Sequence, residues 1–180
     1  MSNLPVIEPA DATDRAADLL NAARKQLGAL PNMLKTMANS PALLETYLTM
    51  SGTLATGELP AAVRERLAIT IAQYDGCSYC LSAHTYLGGK VAKIDADELE
   101  RARYAKSDDP HTAAVLALAD AIVRTRGHVP AETLSVARMN GVTDAEIAEI
   151  VGHVALNVLT NYFNVLADVE IDWPVTVSAQ

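Results

Sequence analysis

The chain of 180 residues has the length of one domain; it is 50% hydrophobic and 20% charged with no acidic or basic block, which excludes a disordered chain and one too poor in apolar residues to build a core. Its net charge of −8 has the wrong sign for neutralising phosphates and argues against nucleic acid as a partner. Aromatic residues make up only 4% while Ala and Leu abound, a balance that favours closely packed helices over strands.

The N-terminal MSNLPVIEPADATD lacks a basic segment followed by an apolar run, and no window holds the roughly 18 uninterrupted apolar residues of a membrane span. The chain therefore reads as cytoplasmic, with no membrane partner. Helix signals recur across short gaps, so the expected fold is all-α, a bundle of about seven or eight helices in a single domain over residues 1–180, with 1–12 and 171–180 as extended tails. A first helix runs from about Thr13 to Leu27 on Ala16, Leu19, Leu20, Ala23 and Leu27 and stops at Gly28. Pro31 opens a short helical turn, Asn32 to Met37. Ser40-Pro41 caps the next helix, whose stripe of Leu43, Leu44, Tyr47, Leu48 and Leu54 is closed by Gly57. AAVRERLAITIAQY, from Ala61 to Tyr74, puts Val63, Leu67, Ile71 and Tyr74 on one face and breaks at Asp75-Gly76. A new helix starts at about Cys77, which falls in its first turn, and stops where Gly88-Gly89 releases the backbone. Asp95 caps a polar helix to Tyr104. Asp109-Pro110 opens an apolar helix that stops at Gly127, and Pro130 opens a short one to Gly141. Thr143 and Glu146 form a capping box before the longest periodic stretch, Asp144 to about Asp168, after which the tail is loose or docked on a neighbour.

The chemistry lies in the middle of the chain. Two cysteines cannot staple a domain of this size, and a C-x-x-C pair in a reducing compartment reads as redox or metal chemistry. Cys77 and Cys80 share a helical face at a separation that a reversible disulfide can bridge. His84 stands one turn beyond Cys80, a local base for its proton, while Cys77 meets the unpaired N–H groups and positive dipole end of a first turn. Such a pair suits peroxide reduction, in which a thiolate attacks the O–O bond and a second thiol condenses with the resulting sulfenic acid. Glu65 comes over the pair if the chain returns antiparallel through Asp75-Gly76, where its carboxylate would orient His84 or relay a proton.

Plainer readings compete at each position. A closed zinc site wants four ligands, and only Cys77, Cys80 and His84 lie close together; a thioredoxin-like site wants strands that are absent here. Glu65 taken alone reads as a solvated charge beside Arg64 and Arg66. His153, Asn157, Asn161, Asn164 and Asp168 form a polar stripe on the last helix, for which a hydrogen-bonded seam between helices or subunits is a better account than a wall of the cysteine pocket. His111 and His128, at helix ends, carry no chemistry, and of the tyrosines around the cysteine helix only Tyr79 stands to reach the site.

The segment LPAAVRERLAITIAQYDGCSYCLSAHTYLGG resembles the signature of AhpD-like alkylhydroperoxidases in the carboxymuconolactone decarboxylase superfamily, where E-x11-C-x2-C-x3-H forms the active site. Glu65, Cys77, Cys80 and His84 match all four positions. HVALNVLTNYFNVLADVEIDWP, from His153 to Pro174, looks like the same branch, and Tyr79 stands where the best-known members carry histidine, as in the peroxidase-related proteins. The resemblance implies an AhpD-like bundle, a homotrimer or homohexamer, and reduction of hydroperoxides without cofactor or metal, with Cys80 attacking, Cys77 resolving and Glu65 and His84 relaying protons. It further implies re-reduction by a dithiol partner, a lipoyl-bearing or thioredoxin-like protein. Two other activities stay open: a decarboxylase or lyase acting on a small cyclic acid, the branch that generally lacks the paired cysteines, and a non-catalytic redox sensor.

Overall fold

The computed structural model describes residues 2–178, so positions 1, 179 and 180 of the expected tails lie outside the described residues. The described residues form nine α-helices and no strand, in one all-helical domain: α1 (Asp14–Leu27), α2 (Asn32–Met37), α3 (Pro41–Leu54), α4 (Ala61–Tyr74), α5 (Ser78–Lys90), α6 (Ala96–Ala102), α7 (Pro110–Thr125), α8 (Ala131–Met139) and α9 (Asp144–Ala167). The count exceeds the expected seven or eight. The expected starts hold because the capping side chains find their partners. Ser40, Asp95 and Asp109 accept from the N–H groups of Leu43, Glu98 and Thr112 at 3.3, 2.8 and 2.8 Å. At α9 the full capping box forms: Thr143 Oγ1 accepts from the Glu146 N–H at 3.1 Å, and Glu146 accepts from the Thr143 N–H at 2.8 Å.

The centre of the domain is α4, where Leu67, Ile69, Ile71 and Ala72 are wholly buried around most of the helix circumference. A helix apolar on nearly every side must be surrounded, and α5, α7 and α9 pack around it. Tyr74, expected on one face with Val63, Leu67 and Ile71, lies at the exposed end of α4, where the Arg124 guanidinium sits 4.6 Å from its ring centroid. By length and composition α9 is apolar enough to cross a bilayer, but Ile150, Val154 and its three asparagines are buried against the bundle, as in a core helix.

Two glycine assignments change. Gly57 does not close α3, which already ends at Leu54; its bare Cα leaves room for the Glu149 carboxylate, which accepts from the N–H groups of Glu58 at 2.8 Å and Leu59 at 3.1 Å and ties the α3–α4 turn to α9. Gly88-Gly89 does not stop α5, which continues to Lys90. Packing overrides the intrinsic preference: a Cβ on Gly88 would stand 2.7 Å from Leu99 Cδ2, so the missing side chain admits α6 to the helix surface. The end of the chain, expected to be loose or docked on a neighbour, lies along α5 of its own chain. Thr176 N–H donates to Ser82 Oγ at 2.8 Å, Arg103 donates to the Val177 carbonyl at 3.1 Å, and the Trp173 ring lies 5.6 Å from that of Tyr86.

The glycine pair gives a directional test. Gly88→Ala is expected to lower the urea unfolding stability by about 1–3 kcal/mol through overpacking against Leu99. Gly89→Ala, whose Cβ would meet Leu99 at an ordinary 3.5 Å, is expected to leave it unchanged or raise it by up to about 1 kcal/mol.

Candidate active site

The turn between α4 and α5 sets the site. Gly76 occupies the left-handed region at φ 71°, a conformation that costs glycine little, and the chain reverses there. Burial pushes the Asp75 carboxyl up, against the opposing hydrogen bond from the Asn161 amide at 2.9 Å. The reversal lays α4 antiparallel to α5 and brings Glu65 Oε2 to 2.8 Å from His84 Nδ1, the pairing that the sequence expects from an antiparallel return. Arg66, the alternative partner for Glu65, is engaged elsewhere, with Glu98 Oε2 at 3.1 Å.

Cys77 is the residue preceding α5, one position earlier than expected, and it caps the helix with its sulfur: Sγ accepts from the Cys80 N–H at 3.3 Å. Both cysteines are free and almost wholly buried, at 1% and 3% exposure. The Cys80 thiol donates to Cys77, and that bond, helped by the backbone N–H and opposed by burial, holds Cys77 below the ordinary thiol range. For Cys80 the balance reverses, since burial and the neighbouring Cys77 push its thiol well up. The sequence expects both sulfurs to be activated; the surroundings favour ionisation at Cys77. Asn164 Nδ2 donates to Cys80 Sγ at 3.1 Å and lies 3.3 Å from Met33 Sδ. The polar stripe of α9, read from sequence as a seam, is thus also a wall of the cysteine site. It was visible as a pattern, but which face of α9 meets α5 is a tertiary fact.

The two sulfurs open on different spaces. Cys80, Glu65 and His84 border a cavity of about 390 Å³ whose other walls include Leu34, Leu156, Arg64 and His153. Cys77 borders a wider groove of about 780 Å³, with Ser78, Asn164, Asp168 and Glu170. Tyr79 lies between them and lines both; its hydroxyl accepts from the Met33 N–H at 3.2 Å, and burial keeps that hydroxyl protonated far above its ordinary range. Tyr47, on the Cys80 side, is likewise pushed up to about 12 by burial. No group of three or more His, Cys, Asp or Glu side chains among the described residues is arranged to hold a metal ion. His111 pairs with Glu146 at 3.1 Å, away from the cysteines.

Residues 41–123 match the model of the carboxymuconolactone decarboxylase family. An alkyl hydroperoxide reductase of Mycobacterium tuberculosis is 28% identical over 86 residues, which cover 47% of this chain and 25% of that protein, so the match spans a quarter of the relative's length. A peroxidase-related protein from Ralstonia eutropha JMP134, with an alkylhydroperoxidase AhpD core, has the same fold, with a TM-score of 0.84 at 22% identity over 95% of this chain and 92% of its own. A debrominase in complex with 2,3,4-tribromopyrrole superposes with a TM-score of 0.76 at 20% identity over 94% of this chain and 91% of its own.

The unequal ionisation of the sulfurs is open to measurement. A thiol held below the ordinary range is thiolate at lower pH, so limited alkylation with iodoacetamide near neutral pH is expected to modify Cys77 ahead of Cys80, read by peptide mass. Asn164→Leu, which removes a hydrogen bond favouring the Cys80 thiolate, is expected to slow labelling of Cys80 further.

Proposed function

We propose, from the match of residues 41–123 to the model of the carboxymuconolactone decarboxylase family and from the AhpD-like helical bundle, that this chain is a thiol-dependent peroxidase that reduces hydroperoxides through a Cys77–Cys80 dithiol and disulfide cycle. The observation that carries the reading is the convergence of four groups: the paired sulfurs at the head of α5, and the Glu65–His84 pair on the wall of the cavity that Cys80 lines.

Each step has a donor and an acceptor in place. The hydroperoxide enters the cavity bordered by Cys80. As the Cys80 sulfur attacks the terminal peroxide oxygen, its proton passes to the neighbouring Cys77 sulfur, the one of the pair favoured to ionise. The O–O bond breaks, the alkoxide takes a proton relayed through the Glu65–His84 pair, and the alcohol leaves, with Glu65 fixing the imidazole through Nδ1. Cys80 is then a sulfenic acid and Cys77 a thiol. Their condensation forms the disulfide and releases water, before a second peroxide can overoxidise the sulfur. A dithiol partner, lipoyl-bearing or thioredoxin-like, returns the two electrons by attack on the disulfide, and the groove beside Cys77 gives it an approach that does not cross the substrate cavity. The exposed apolar residues Tyr162 and Leu166 of α9 are available for contact between copies, in keeping with the homotrimer or homohexamer that the family resemblance implies.

Stoichiometric hydroperoxide is expected to remove two free thiols per chain and to lower the intact mass by two hydrogens; unchanged thiol counts would refute the cycle. Cys80→Ser is expected to abolish turnover and to form no intrachain bridge, and Glu65→Gln to slow turnover by about 100-fold while leaving both thiols present. Activity that survives full alkylation would favour the decarboxylase or lyase reading instead.

A further inference from the structure

His153 and Arg64 stand on the wall of the cavity beside Cys80, and the peroxide chemistry uses neither. His153 is 5% exposed, lines this cavity, and its Nε2 is buried without a hydrogen-bond partner. Buried polar atoms are nearly always partnered, so an orphaned imidazole nitrogen on a cavity wall points to a ligand. Arg64, on the same wall, donates through Nη1 to the Leu59 carbonyl and makes no ion pair among the described residues. The nearby carboxylates are already engaged, Glu65 by His84 and Glu149 by the N–H groups of Glu58 and Leu59. Burial first and then the Arg64 charge hold His153 below its ordinary range, against the opposing effect of Glu149, which favours the neutral ring beside the guanidinium. Most of the remaining wall is apolar, with Leu27, Leu34, Leu87 and Leu156.

We propose that Arg64 and His153 form an anion subsite, so that the cavity selects amphipathic carboxylates, the carboxylate held by the guanidinium and the imidazole N–H and the apolar body lying toward Cys80. A guanidinium suits this task because its donors can meet both oxygens of a carboxylate at once. Resting on the peroxidase reading, the preferred hydroperoxides are those that carry a carboxylate on an apolar body.

Trp173, the only tryptophan, lines the cavity and supplies the readout. Titrating the wild-type protein with octanoate is expected to change its fluorescence saturably, at a Kd at least tenfold below that for octan-1-ol. Arg64→Met is expected to reduce this preference to within about twofold, and Arg64→Lys to retain part of it. Equal affinity of the wild-type protein for the two probes overturns the subsite whether or not the variants fold, as does a full preference surviving in Arg64→Met. Cys80→Ser is expected to keep the octanoate preference. A chain that selects octanoate yet loses no thiols to peroxide would therefore overturn the peroxidase reading and leave the subsite standing.

Discussion

A thiolate at Cys77 has almost no water to hold its charge, and it depends on the hydrogen bonds that the Cys80 N–H and thiol direct at it. That dependence fixes the rest of the site. The sulfur can receive those bonds only from the capping position, so α5 must begin at Ser78, and α5 can begin there only because Gly76 turns the chain sharply after α4. The same interaction that favours charge on Cys77 disfavours it on Cys80, so the two sulfurs are driven to ionise unequally.

That division matches the shape of the surroundings. Cys80 and the Glu65–His84 pair face a mostly apolar cavity, while Cys77 faces a more polar groove flanked by Asp168 and Glu170. Tyr79 separates the two spaces, held by the backbone of α2. The two sulfurs are therefore reached through two different spaces rather than one shared opening. α9 contributes to both: Asn164 supports the sulfur, and His153 and Asn157 border the cavity two to three turns away.

Much of this was legible along the chain. The helix starts followed from Ser40, Asp95, Asp109 and Thr143, because an N-cap is a local contract between a side chain and a backbone N–H three residues on. The E-x11-C-x2-C-x3-H spacing placed Glu65 against His84 once an antiparallel return was assumed, and the turn made that return real. The misreadings have a common cause. Gly57 and Gly88 looked like helix stops, but each is small because another element, the Glu149 side chain or α6, comes close. The tail looked unattached because its partners, Ser78, Ser82 and Arg103, lie about 70 to 100 residues earlier.

By itself the sequence determined the helical class, the order of the helices, and the close spacing of Cys77, Cys80 and His84, since these rest on periodicity, caps and separations of about one turn. Only the tertiary structure decided which sulfur is favoured to ionise, which cavity each one faces, and that Arg64 and His153 share a wall with Cys80. Those depend on desolvation and on distances between α2, α4, α5 and α9, and burial is a property of what surrounds a residue, which its neighbours in sequence do not specify.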